Sequence, residues 1–600
     1  MLVRTVTLIG AAVARVALAL QQADFAVNGE LLPGVREIEK AEVPEMHAGL
    51  MPLDEDEDGR ALFFWRMGEQ CGKRCSDELI VWLNGGPGCS SMDGALMETG
   101  AFRVAEDGKL YLNSGSWHTR GTMLFLDQPV GTGFSRPGRD GRLRTELSEL
   151  ADDFILFMDR YYSVFPEDRR RKLVLAGESY AGQYIPYFAD AVVRRNAERA
   201  PEERYNLENV LIGNGWVDPD LQSLSYVPFV RSRGLFGPET RNFQDILHDQ
   251  EACQNAVNHG PAKGFSHPEC ESILPKLLNS IPGPGGPAQQ CINMYDIRLR
   301  DVFPSCGMNW PADLPNVHKF FGTPGVLEAL HVDPEVAGPW EECKSRVSQA
   351  LTNAHSRPSV HLIPNLIESG VKFVFFNGDQ DVICNNMGVE MLIAELRWRG
   401  HTGFSNTTEN YDWYHEDAER HTLVAAGVVK RDGPVTFISV FNASHMVPFD
   451  VPRISRGIID IERYATISGV KGEARMLITS DSEEDVALTT VAEQTEQIRH
   501  NQLKRLNDDT RRFTIAVFGL TIASVIGVVV YYSMRLHYAA KIRAILTDPK
   551  SRGSTADDFD RLDDEYSGTM MDDFHHGSYK KGHYYAVPDT DVSSSELHSV

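Results

Sequence analysis

No basic stripe runs through this chain. Its 600 residues carry 59 Lys and Arg against 84 Asp and Glu, a formal net charge of −25. That balance argues against a nucleic-acid partner, while a basic substrate stays compatible. No internal repeat of the kind that builds solenoids or propellers is present. Cysteine is sparse, nine residues in all, and Cys71-x-x-x-Cys75 has no second ligand pair nearby. That argues against zinc, and nothing else in the chain calls for a metal or a cofactor. Long apolar runs are few, one near each end. Hydrophobic residues still make up 42% of the chain, enough for a large core. The length suggests more than one domain, but a large α/β domain with insertions can absorb most of it.

The most informative stretch is Gly177-Glu178-Ser179-Tyr180-Ala181-Gly182. It follows the apolar run Leu173-Val174-Leu175-Ala176 and precedes Gln183 to Val193, which reads as a helix. A serine between small residues at a strand-to-helix turn is a nucleophile elbow, here a variant of G-x-S-x-G with Ala181 in the last place. Two further strands carry chemistry at their ends. Val371 to Phe376 runs into Asn377-Gly378-Asp379-Gln380-Asp381, and Val435 to Phe441 runs into Asn442-Ala443-Ser444-His445. The order Ser, Asp, His is that of α/β-hydrolases, with each group just past the carboxyl end of a strand.

Several longer blocks keep that order: Trp82-Leu83-Asn84-Gly85-Gly86-Pro87-Gly88-Cys89-Ser90-Ser91, Asp127-Gln128-Pro129-Val130-Gly131-Thr132-Gly133-Phe134-Ser135, the elbow, Gly378 to Asn385, and His445-Met446-Val447-Pro448. With them the chain resembles the serine carboxypeptidases. The resemblance implies an α/β-hydrolase fold with a cap insertion. It makes Ser179 the nucleophile, His445 the general base and Asp381, rather than Asp379, the acid that orients the imidazole. The oxyanion donors would be the N–H groups of Gly86 and Tyr180. Trp82, Asn84, Glu98 and Glu178 are implied to bind the substrate's terminal carboxylate. Two acids can bind an anion if proximity and burial keep one of them protonated. The sequence therefore predicts activity that is best at mildly acid pH and weakens through a rising KM.

The ends of the chain suggest a membrane setting. Arg4, the apolar stretch Val6–Leu20 and Ala17-Leu18-Ala19 read as a signal peptide over 1–19. A carboxypeptidase domain is expected over 20–470, with its cap at about 217–354, where no βαβ rhythm is visible. An acidic lumenal stalk follows over 471–512, including Thr479-Ser480-Asp481-Ser482-Glu483-Glu484-Asp485. Phe513–Met534 holds no charged residue, and at 1.5 Å per residue it covers about 33 Å, enough for one transmembrane helix. A cytosolic acidic tail over 535–600 would complete a single-pass type I protein. Its Tyr584-Tyr585-Ala586-Val587 is either a signal for cytosolic sorting machinery or plain tail. This layout resembles the pheromone-processing carboxypeptidases of the fungal late Golgi, which implies a trans-Golgi membrane location and removal of C-terminal Lys and Arg from peptide precursors. Some basic-preferring relatives carry an acid directly after the catalytic histidine. Here that place is Met446, so the selecting acids must come from elsewhere.

By the same resemblance Cys89 pairs with Cys343, and Cys384 is the free thiol. The other six cysteines allow fifteen connectivities. Pro282-Gly283-Pro284-Gly285-Gly286-Pro287 reads as a surface loop. Asn406 and Asn442 open N-x-S/T sequons. The sequon at Asn442 lies three residues from His445 and also reads as a strand-end turn. A broad-specificity degradative carboxypeptidase and a catalytically silent hydrolase-fold membrane receptor remain as alternatives.

Overall fold

The computed structural model describes residues 20–463 apart from 56–58, 71–76, 282–289 and 418–421, then the strand segments 466–468 and 476–480 and the single positions 533 and 536. The expected signal peptide, the loop at 282–287 and the tail motif at 584–587 lie outside the described residues, as does the expected span apart from Ser533. Among the described residues no helix is long and apolar enough to cross a membrane.

One mixed sheet organises the chain. Its strands are β1 (Met46–Pro52), β2 (Ala61–Met67), β3 (Glu78–Leu83), β4 (Thr122–Leu126), β5 (Lys172–Ser179), β6 (Leu207–Gly215), β7 (Lys372–Gly378), β8 (Glu409–Asp417), β9 (Thr422–Asp432), β10 (Val435–Val440), β11 (Thr466–Ser468) and β12 (Met476–Ser480). They lie in the order β1-β2-β4-β3-β5-β6-β7-β10-β9-β8-β12-β11. The central run from β4 to β10 is parallel, and antiparallel hairpins extend it on both sides. Parallel strands buried on both faces read as continuous apolar runs. Accordingly Leu79, Val81 and Leu83 enter one core while Ile80 and Trp82 enter the other.

On the first face, α1 (Leu147–Val164) and α2 (Ala181–Ala197) pack together, with Phe154 stacked on Phe188 at 4.5 Å. The apolar residues of α1 recur at Leu147, Leu150, Ala151, Phe154, Phe157, Met158 and Tyr161, the spacing that makes one buried stripe. This is an α/β-hydrolase fold, as the motifs implied.

The segment between β6 and β7 is mostly helical. It opens with α3 (Pro219–Ser232) and α4 (Phe243–Asn258) and contains a small hairpin of strands Gln290–Ile292 and Arg300–Val302. Disulfides staple it at Cys253–Cys270 and Cys291–Cys306, while Cys89–Cys343 ties it to the turn after β3. Two of the bonds left open by the sequence are thereby assigned; Cys71 and Cys75 lie outside the described residues. Past the boundary expected at 470, Met476–Ser480 runs parallel to β8 as β12, so Thr479 and Ser480 belong to the sheet rather than to a stalk. Pairing with β8 supplies the backbone partners that local composition did not announce.

Candidate active site

Ser179 ends β5 in the left-handed region, at φ 60°. For a residue with a Cβ this conformation costs about 1–3 kcal/mol and persists only where the surroundings impose it. Trp216 N–H donates to the Ser179 carbonyl at 2.9 Å and fixes the turn. Gly177 permits the close approach of β3, since a Cβ there would lie 2.1 Å from the Leu83 carbonyl oxygen. Tyr180 caps the start of α2, its ring stacked on Trp216 and its hydroxyl accepting from Asn353 Nδ2 at 2.7 Å.

Asp381 and His445 arrive from the ends of β7 and β10. His445 Nδ1 lies 2.8 Å from Asp381 Oδ2, and both side chains are buried. Asp381 also accepts from Asn214 Nδ2 at 2.8 Å, Ile383 N–H at 3.1 Å and Cys384 N–H at 3.2 Å. With its lone pairs occupied this way, the carboxylate favours the tautomer carrying the proton on Nδ1, which leaves Nε2 as an acceptor. Asp379 has a different place: its Oδ1 accepts from Asn442 N–H at 2.8 Å and braces the turn that leads to His445. The cap also contributes. Tyr295 carbonyl accepts from His445 N–H at 2.9 Å, and the Tyr295 ring lies 5.0 Å from the imidazole. Cys384 is free and buried, and burial pushes its thiol well up, helped by Asp381 and Glu178.

Beside this trio sits a buried polar chain. Trp82 Nε1 donates to Asn84 Oδ1 at 2.9 Å, and Asn84 Nδ2 donates to Glu98 Oε1 at 2.9 Å and Glu178 Oε1 at 3.1 Å. Glu98 is fully buried and Glu178 is 5% exposed. Burial, then the neighbouring Glu98, pushes Glu178 well above the usual carboxyl range; burial also raises Glu98. Two carboxyls in one desolvated place share a proton rather than both ionise. Gly94 admits Trp82, because a Cβ there would lie 2.2 Å from Trp82 Nε1.

The turn that follows Asn84 presses against the elbow: a Cβ on Gly85 would lie 2.4 Å from Tyr180 N. Gly86 sits at φ 105° before a cis proline. Asp127 holds this turn from below. It accepts from Ser90 Oγ at 2.7 Å, Ser91 N–H at 2.9 Å and Phe134 N–H at 2.9 Å, and burial lifts its pKa to about 6. Ser91 Oγ in turn accepts from Asn84 N–H at 3.1 Å.

Every sequence-predicted residue of the trio and of the carboxylate set therefore falls at one edge of the sheet, and Asp381, not Asp379, meets the histidine. Asn406 and Asn442 are exposed. Asn442 adopts φ 58°, and its carbonyl accepts from Arg298 Nη1 at 2.8 Å. Sequence reading passed over Asn214, although Gly213-Asn214-Gly215 ends β6 after an apolar run, just as the other site residues end their strands. Tyr295 was also passed over; it reaches His445 from the cap, through a contact far apart in sequence.

A family model described as serine carboxypeptidase matches residues 33–461. The chain is 88% identical over 600 residues, with all of both chains covered, to the pheromone-processing carboxypeptidase KEX1 of Eremothecium gossypii. It is 45% identical over 493 residues to the pheromone-processing carboxypeptidase KEX1 of Saccharomyces cerevisiae, covering 78% of this chain and 67% of that protein. The crystal structure of Kex1(delta)p, a prohormone-processing carboxypeptidase from Saccharomyces cerevisiae, matches with a TM-score of 0.73 at 44% identity, covering 77% of this chain and 100% of that one. Sequence, fold and site geometry thus converge: this chain belongs to the serine carboxypeptidase family.

Proposed function

We propose that the enzyme releases C-terminal Lys and Arg from peptide precursors of the secretory pathway through an acyl-enzyme at Ser179. The observation that carries the exopeptidase part is the buried Glu98–Asn84–Glu178 set, with Trp82 behind it. A shared proton lets this set donate to the substrate's terminal carboxylate, as two ionised carboxylates could not. Ser179 Oγ attacks the last peptide carbonyl while His445 Nε2 takes the hydroxyl proton. The tetrahedral oxyanion is held by the N–H groups of Gly86 and Tyr180. As the C–N bond breaks, His445 returns the proton to the leaving amine. Water then attacks the ester carbonyl, His445 again taking and returning a proton, and Ser179 is restored. Asp381 stays ionised and stabilises the imidazolium.

The preference for basic residues, best activity at mildly acid pH and a trans-Golgi membrane location with the catalytic domain in the lumen rest on the likeness to pheromone-processing relatives and on the layout of the ends. The lipid bilayer would be met through 513–534, and cytosolic sorting machinery through 535–600. Met446, where an acid would favour a basic side chain, supports a second reading, a broad-specificity carboxypeptidase. The silent-receptor reading fits poorly with a chain that retains Ser179, Asp381, His445 and both oxyanion positions.

The test is kcat/KM for two peptides differing only in a final Arg or Phe, at mildly acid pH, with Ser179→Ala as control. A strong preference for Arg that vanishes in the control supports the proposal. Equal or faster cleavage of Phe supports the broad-specificity reading, and no cleavage of either revives the receptor.

A further inference from the structure

Arg103 belongs neither to the trio nor to the carboxylate set, yet it joins the two. It sits on the short strand Phe102–Val104, whose outer residues are buried in the core, so alternation turns Arg103 the other way. There its half-buried guanidinium bridges two backbone turns. Nη2 donates to the Pro448 carbonyl at 2.7 Å and to the Glu98 carbonyl at 3.4 Å. Glu98 closes the π-helical turn Gly94–Glu98, a local irregularity of the kind that recurs at functional sites. Asn113 Nδ2 donates to the same Glu98 carbonyl at 2.7 Å and to the Gly100 carbonyl at 2.9 Å, so the end of that turn is held from two sides. Pro448 lies in the turn that starts at His445. The next residue, Phe449, places its ring 5.7 Å from the guanidinium carbon of Arg103. Phe449 meets Trp310 edge-on at 5.8 Å, Trp310 stacks on Tyr295 at 5.8 Å, and Tyr295 is the ring beside the imidazole. One side chain thus ties the backbone that carries Glu98 to the backbone that follows His445.

We propose that Arg103 is a positioning residue that sets the spacing between the grip on the terminal carboxylate and the imidazole that protonates the leaving amine. This rests on the carboxypeptidase reading above. In a free-acid peptide the terminal carboxylate and the leaving amine are bonded to one Cα. Once Asn84, Glu98 and Glu178 hold the carboxylate, the amine has little freedom, and His445 Nε2 must already lie within reach of it. A misplacement of about 1 Å in a pre-arranged site can cost about 100-fold in rate. A leaving group without a carboxylate does not engage the grip, so its approach to His445 does not depend on that spacing. Loss of Arg103 should therefore harm free-acid peptides selectively and leave the reactivity of Ser179 and His445 intact.

The experiment uses full-length enzyme in detergent, as wild type, Arg103→Met, Arg103→Gln and Arg103→Lys. The substrates are one Arg-ending peptide as free acid and as C-terminal amide, and a blocked peptide p-nitrophenyl ester. Organophosphate labelling of Ser179 counts competent sites, and rates are expressed per labelled site, so a misfolded fraction does not mimic the effect. In Arg103→Met and Arg103→Gln, kcat/KM for the free acid is expected to fall about 10- to 100-fold, with the amide and the ester within about threefold of wild type. Arg103→Lys, which keeps the charge and a donor, is expected to fall between these variants and wild type. An acid-to-amide ratio within about twofold of wild type in either Arg103→Met or Arg103→Gln overturns the proposal. So does an equal fall for all three substrates, the mark of general loosening. A wild type that labels but shows no preference for the free acid over the amide overturns the grip, and the role of Arg103 with it. A wild type that neither labels nor cuts overturns the enzymatic reading itself.

Discussion

Glu178 and Glu98 share one environment, and their titration sets how substrate binding responds to pH. Both carboxyls are raised, Glu178 by burial and by its neighbour Glu98, and Glu98 by burial. A raised carboxyl holds its proton to higher pH, so the donor to the substrate carboxylate is present below the raised value and lost as pH climbs through it. KM should therefore be low on the acid side and rise above the apparent pKa of the pair by about tenfold per pH unit. Glu178→Gln keeps a donor at every pH and should flatten that rise; initial rates across a pH series check it. A second expectation concerns Asn214, which donates to Asp381 and accepts from Gly378 N–H at 3.0 Å. Asn214→Ala removes one charge-assisted hydrogen bond from the carboxylate that orients His445. It should lower kcat about 10- to 100-fold with little change in KM, measured at saturating peptide. The placing of Ser179, Asp381 and His445 was legible because each ends an apolar strand, a pattern visible in a dozen residues. Tyr295 was not legible, because it meets His445 from the cap, through a contact far apart in sequence.

At the scale of elements, the strands that carry the site are buried on both faces, and their continuous apolar runs announced them. The edges are different. Met476–Ser480 is followed by acidic sequence, and its pairing with β8 and β11 makes it a strand. The cap was visible only as a loss of βαβ rhythm, since the helices after α4 are short and the segment is stapled by disulfides rather than built on long periodic stripes. Cys89–Cys343 joins that cap to the turn bearing Asn84 and Gly86. Replacing both cysteines with serine should lower stability by about 2–5 kcal/mol, read by denaturant unfolding of residues 20–480. It should also raise KM, because the turn bearing Asn84 and Gly86 loses its anchor to the cap.

Across the whole molecule, several acids around the site lean one way. Burial raises Asp93, Glu98 and Glu178, and lifts Asp127 to about 6 and Glu342 to about 7. A group whose folded pKa lies above its unfolded value favours the fold at low pH, and that advantage is lost as pH rises through the folded value. Thermal scans should therefore show Tm falling as pH climbs from about 5 to about 8. Ion-paired acids such as Asp168, whose pKa is lowered mainly through Arg66 despite its burial, oppose this trend only under strong acid. Truncation after Ser480 should leave a folded enzyme that partitions into the aqueous phase, while the full chain should stay with the membrane after alkaline extraction. Truncation at 470 removes β12 and should lower Tm relative to the longer form.

The measurement that bears most directly on the account compares one Arg-ending peptide as free acid and as C-terminal amide, for wild type and Ser179→Ala, across mildly acid to mildly alkaline pH. A shared proton on Glu98 and Glu178 predicts strong preference for the free acid on the acid side, a preference that shrinks as pH rises, and no turnover of either peptide by Ser179→Ala. Equal kcat/KM for acid and amide at every pH, or turnover that survives the loss of Ser179, would contradict it.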